Sequence, residues 1–253
     1  MKINVLTLFP EMFSAVTGSI VGRARDNGLV EFNFVNIRDF SLDKHKKTDD
    51  YPFGGGQGMV FLADPVFRAM ESLGCKNSRN IYMSPRGKVL CQDIIENLSK
   101  EGEITILCGH YEGVDQRILD YWNMEELSIG DYILTGGELA AMVLIDSVAR
   151  LIPGVLAGES SAYEESIYSG LLEYPQYTKP RSYREMDVPE VLTNGNHKLI
   201  HLWKYEKSIE LTKQNRPDLF DAYLKNHGEL TKDEKKVLDR IAGISEKKKG
   251  KRD

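Results

Sequence analysis

Short apolar runs alternate with longer amphipathic stretches through the first half of the chain. Residues 3–9 (INVLTLF) read as a buried strand, and residues 30–37 as a second, with Val30, Phe32 and Phe34 alternating. Residues 80–84 and 103–108 are two further β-type runs. Between them, residues 64–73 and 89–98 carry helical spacing, and Pro65 after Asp64 marks a helix start. Strands alternating with helices of about ten residues predict an α/β domain with a mostly parallel sheet. In such sheets ligands sit beyond the carboxyl ends of the strands. The loops after each run are therefore where chemistry is expected.

The pattern then changes. Residues 137–150 are apolar almost all round, which predicts a helix buried on most of its surface. Residues 158–172 mix Ser, Glu and Gly with little periodicity and read as a linker or mobile loop. Residues 174–189 hold Pro175, Pro180 and Pro189 and read as extended chain. Three helices are predicted beyond. The first, 196–214, sets Leu199, Leu202, Trp203 and Ile209 near one face, with Trp203 read as core. Arg216-Pro217 opens the second, with Leu219, Phe220, Tyr223 and Leu224 inward. The capping box Thr231-x-x-Glu234 opens the third, which ends at Gly243. The division expected is an α/β domain at 1–157, a linker at 158–172 and a smaller all-α domain at 173–253, ending in a basic tail.

Charge sharpens that division. The 253 residues carry 33 Lys+Arg and 38 Asp+Glu, a net of −5, which by itself points away from nucleic acid. Residues 1–172 hold 15 basic and 24 acidic residues, a net of −9, whereas residues 173–253 hold 18 and 14, a net of +4. A basic helical module on an acidic α/β module suits an anionic polymer held by one part and chemistry done by the other. The plain alternative is a solvated, Lys-rich helix surface. The longest uncharged run, 51–63, is thirteen residues with Pro52 and four glycines, too short and too broken to span a membrane. No signal peptide is read at the N-terminus. Cys75, Cys91 and Cys108 form no C-x-x-C pair and suit the reduced thiols of a cytoplasmic protein.

Familiar catalytic signatures are absent: no Walker-type phosphate loop, no G-x-G-x-x-G and no G-x-S-x-G occurs. His197 and His201 are spaced i, i+4, but Lys198 stands where a zinc peptidase needs Glu, and no metal site is expected. What remains is glycine. Residues 51–59 (YPFGGGQGM), 82–87 (YMSPRG), 108–113 (CGHYEG) and 129–139 (IGDYILTGGEL) each follow a β-type run. One such loop would be a turn. Four in one α/β domain point to a small-ligand pocket, read by backbone amides and carbonyls, for a nucleotide-like molecule.

These stretches, together with LFPEMF (8–13), CGHYEGVDQR (108–117), the long run at 128–156, SGLLEYPQYTKP (169–180) and VPEVLTNGNH (188–197), carry a resemblance. They closely resemble the bacterial tRNA (guanine-37-N1)-methyltransferase (TrmD) family. The resemblance implies a homodimeric α/β methyltransferase domain of the SPOUT class, with a trefoil knot whose loops bind S-adenosylmethionine. It also implies a helical C-terminal domain that grips tRNA. The donor pocket would involve Tyr82, Met83, Ser84, Pro85 and Gly87; Gly109, Tyr111 and Glu112; then Ile129, Gly130, Asp131, Tyr132, Ile133, Leu134, Gly136 and Gly137.

Methylating N1 of neutral guanine requires a base for the N1 proton and a cation for the charge that builds on O6. By resemblance the cation is Arg150. The base is Glu165, where the family has Asp, with Glu164 as the fallback. Gln57 and Lys179 are milder departures, from the Pro and Arg of the family. Magnesium dependence would also carry over, with no ligand set to hold it. Two alternatives stay open: an RNA-binding protein that has kept the fold without activity, and a knotted methyltransferase acting at another RNA position.

Overall fold

The computed structural model describes residues 1–156 and 169–244. They fall into two compact units, divided between residues 162 and 163. The first unit opens with β1 (Lys2–Thr7), α1 (Ser19–Asp26), β2 (Glu31–Asn36), and the short pair β3 (Asp49–Asp50) and β4 (Val60–Phe61). It continues through α2 (Ala63–Leu73), β5 (Arg79–Val89), α3 (Gln92–Ser99), β6 (Glu103–Cys108), α4 (Gln116–Tyr121), β7 (Glu125–Ser128) and α5 (Glu138–Ala149).

Five strands form one sheet in the order β2-β1-β6-β5-β7, and every neighbouring pair is parallel. Side chains alternate between two cores. Ile104 and Ile106 of β6 pack with Ile3, Val5, Ile81, Leu144 and Val148 on one face. Leu107 packs with Leu6, Val66, Met70, Ile118 and Trp122 on the other. Helices thus cover both faces, and apolar side chains of the central strands β1, β6 and β5 are buried on each.

One expectation for this unit needs correction. The strand expected at 80–84 runs on to Val89, with a register shift between Met83 and Lys88 against β7. Gly87 lies in that bulge, and a Cβ there would collide with the backbone of Glu126 and Leu127, so the close approach demands glycine. The mostly apolar helix α5 is buried on most of its surface, as expected, with one open stripe where Leu139 is 51% and Val143 46% exposed.

The second unit holds β8 (Ser182–Tyr183), β9 (Met186–Asp187), α6 (His197–Asn215), α7 (Pro217–Asn226) and α8 (Lys232–Ala242). Residues 182–187, expected as extended chain, form a tight antiparallel hairpin turned by Arg184 and Glu185, both at positive φ. Helix ends follow their sequence signals. The Asn196 side chain accepts the Leu199 amide at 3.2 Å. Thr231 and Glu234 make both bonds of the capping box, at 3.2 and 2.8 Å. Gly243 closes α8 in the left-handed region. Leu171, Ile209, Phe220, Val237 and Leu238 form the core. Trp203 is half-buried beside Tyr177, outside that core, because it sits at the edge of the α6 inward face. The expected basic tail and most of the expected linker lie outside the described residues. Among the described residues no helix is long and apolar enough to cross a membrane.

Candidate functional site

The carboxyl ends of β6, β5 and β7 are neighbours in the sheet. The loops that leave them enclose a cavity of about 350 Å³. β5 contributes Tyr82, Met83, Ser84 and Pro85. The loop after β6 contributes Gly109, Tyr111 and Glu112. The segment after β7 contributes Ile129, Gly130, Tyr132, Ile133 and Leu134, followed by Gly136 and Gly137 at the start of α5. Fourteen of the sixteen residues expected around a methyl donor therefore share one cavity. Gly87 and Asp131 do not line it. Gly87 serves the bulge against β7, and the Asp131 side chain is exposed at its turn.

Space, more than unusual backbone angles, explains the glycines at the cavity wall. The Gly137 amide donates to the Gly109 carbonyl at 2.9 Å. A Cβ on Gly137 would stand 2.9 Å from Cys108 Cα and 3.0 Å from the Gly109 amide nitrogen, both backbone atoms. A Cβ on Gly109 would stand 2.7 Å from the Tyr82 hydroxyl. One on Gly136 would overlap His110 and Glu138. Side chains at these positions would force the loops apart.

Local hydrogen bonds then fix each loop. The Ser128 hydroxyl donates to the Gly130 carbonyl at 3.0 Å and accepts its amide at 3.2 Å. Tyr111 sits at positive φ in a turn closed by the Gly113 amide donating to the His110 carbonyl at 3.1 Å. The Glu112 amide donates to the Met59 carbonyl at 3.0 Å, which brings the glycine loop 51–59 against the cavity rim. Burial raises the Tyr82 phenol above its ordinary range, so it stays protonated.

Sequence reasoning missed a buried network at this site. Glu138, at the first turn of α5, accepts the Thr7 hydroxyl at 2.6 Å and the His110 Nε2–H at 2.7 Å. Burial first, and then the Glu138 charge, raise the neighbouring Cys108 thiol well above its ordinary range. The available signal was an acid at the head of a mostly apolar helix, which is equally well read as a complement to the helix dipole.

The two residues expected to do chemistry stand differently. Arg150 follows α5 directly, half-buried, its amide donating to the Asp146 carbonyl at 3.2 Å. Glu165 and its fallback Glu164 lie outside the described residues. Among the described residues there is no group of three or more His, Cys, Asp or Glu that could hold a metal ion.

Comparison with known proteins gives the same direction. The sequence profile described as tRNA (Guanine-1)-methyltransferase TrmD matches residues 1–222. A tRNA (guanine-N(1)-)-methyltransferase of Ruminiclostridium cellulolyticum is 57% identical over 225 residues, 87% of this chain and 97% of the relative. One from Alkaliphilus oremlandii is 52% identical over 250 residues, covering 95% and 98%. One from Clostridium perfringens is 50% identical over 239 residues, covering 94% and 99%. With a match that runs from the first strand of the parallel sheet into the helical unit, the chain belongs to the tRNA (guanine-1)-methyltransferase TrmD family.

Proposed function

We propose that this enzyme transfers the methyl group of S-adenosylmethionine to N1 of guanine 37 in tRNA. The observation that carries the reading is the convergence of glycine-bearing loops, from neighbouring strand ends, on one cavity of about 350 Å³. That volume lies in the range of small-molecule sites. The walls fit the donor's chemistry. Backbone at Gly109, Gly130 and Gly136 can meet the polar edge of a purine, and Tyr82, Ile133 and Leu134 can meet its faces and the alkyl arm.

When bound, the donor supplies an electrophilic methyl group on a sulfonium. The chain's own residues supply the rest. The walls align the methyl group for in-line attack by N1. Glu165 is the assigned base for the N1 proton, since it keeps the carboxylate of the family's Asp with one more methylene. Arg150 is the assigned cation for the charge that develops on O6. Its place at the carboxyl end of α5 suits a positive charge for a second reason, the helix dipole.

The net charge of +4 on residues 173–253 supports phosphate contact by the helical unit. Lys204, 4.5 Å over the ring of Tyr174, pairs a cation with an aromatic face there. Guanine 37 lies in a loop, where a base can be splayed out cheaply. The same reading includes a trefoil knot, a homodimer and a cytoplasmic location. The return of residues 129–137 to the loop after β6 supports the knot. The exposed Leu139 and Val143 support a second copy against α5.

Labelled S-adenosylmethionine and an unmodified tRNA transcript, with and without guanine 37 replaced, test the reading. Label on the parent transcript alone is expected. No label on any transcript overturns the activity, and label insensitive to the replacement overturns the position. Glu165→Gln should lower turnover about 100- to 10,000-fold with donor affinity nearly unchanged.

A further inference from the structure

Glu138 carries a carboxylate into the interior, with 2% of its side chain exposed. Burying a carboxylate is costly unless hydrogen bonds replace its water. Here the replacements come from two other elements. Thr7, the last residue of β1, donates its hydroxyl at 2.6 Å. His110, in the loop after β6, donates Nε2–H to both carboxylate oxygens, at 2.8 and 2.7 Å. Thr7 in turn accepts the Phe9 amide at 2.9 Å, and the Phe9 ring stands edge-on to His110 at 5.2 Å. His110 also bridges Gly136 in the antiparallel sense.

One side chain thus ties together three elements at the wall of the cavity. The helix dipole alone would favour a carboxylate here, but it would not require two donors from elsewhere in the fold. His110 itself lines the cavity and stands directly between Gly109 and Tyr111 in the chain. Whatever holds its ring holds both neighbours.

We propose that Glu138 is a positioning residue for the methyl donor, acting through His110 to fix the loop that presents Gly109, Tyr111 and Glu112. This rests on the reading of the cavity as the donor site. Glu138 needs no contact with the donor to do this. A purely structural carboxylate would raise stability and leave affinity alone.

The test is calorimetric titration of the full chain with S-adenosylhomocysteine, the unreactive thioether product, with thermal unfolding recorded for each protein. The proteins are the parent, His110→Ala, His110→Gln, Glu138→Gln and the His110→Ala, Glu138→Gln double variant. His110→Ala and Glu138→Gln should each weaken binding about tenfold or more, the size of one lost charge-assisted hydrogen bond. The double variant should bind no worse than the weaker single one, within about twofold, because both act through one contact. His110→Gln keeps an N–H donor for Glu138 and should recover most of the affinity. It also decides the matter should Glu138→Gln fail to fold. Variants that melt lower but bind like the parent overturn the proposal, as do losses that multiply in the double variant. Equal weakness of His110→Gln and His110→Ala overturns it too. A parent that does not bind the thioether overturns the donor reading itself, and this inference with it.

Discussion

The two units of this chain are built from different parts. In the first, main-chain atoms of neighbouring loops meet with nothing between them, as where Gly137 bonds to Gly109. In the second, three helices close over a small apolar core, and caps and exposed ion pairs finish their ends. The contrast teaches where each unit is fragile. A site walled by backbone fails when volume is added. A small helical core fails when volume is removed.

The strongest test adds one methyl group. Gly137→Ala keeps ordinary backbone angles, since Gly137 has φ −80°. It nevertheless drives a Cβ to 2.9 Å from Cys108 Cα, and the neighbour is backbone that cannot swing away. Donor-product affinity should fall on the order of a thousandfold, about 4 kcal/mol. Binding within tenfold of the parent, by calorimetry, would break the comparison.

The converse test removes volume from the second unit. Ile209 is fully buried in its core, so Ile209→Ala should cost about 2–5 kcal/mol there. Denaturant unfolding can be followed unit by unit, because Trp122 lies in the first and Trp203 in the second. A Trp122→Phe background isolates the second signal, and a midpoint that does not move sinks the claim. A smaller loss, about 1 kcal/mol, is expected from Thr231→Ala, which removes the side-chain cap of α8.

The smallest effect is electrostatic. Hydrogen bonding to Thr231, with help from His201, holds the Glu234 carboxyl below its ordinary range. A carboxyl held low when folded stabilises fully above the unfolded glutamate value of about 4.3, and that contribution fades as pH falls through the lower folded value. Replacing His201 with Gln should therefore flatten the acid limb of second-unit stability. Superimposable acid limbs for parent and variant would remove His201 from the account.

Much of the architecture is legible in the sequence. Residues 103–108 form a strand with the expected ends, because the buried Ile104, Ile106, Leu107 and Cys108 make a short apolar run that the sequence shows directly. The capping box at Thr231 and the stop at Gly243 are local chemistry and need no tertiary context. The short β7 was not legible: its four residues, EELS, include two acids and no period to read. Gly87 illustrates a different limit. Its glycine signal was real, but it reports an approach to β7 and not to the cavity. Thr7, His110 and Glu138 are separated by up to 131 positions, so only the folded sheet brings them together.

The glycine-walled cavity has a practical consequence for anyone who would redesign it or drug it. Point mutations exchange side chains, and at Gly109, Gly136 and Gly137 there are none to exchange without collision. A compound that reads the main-chain edge at those positions would leave the target few substitutions by which to escape. For the same reason, altering which ligand the cavity accepts calls for moving whole loops, not swapping residues within them.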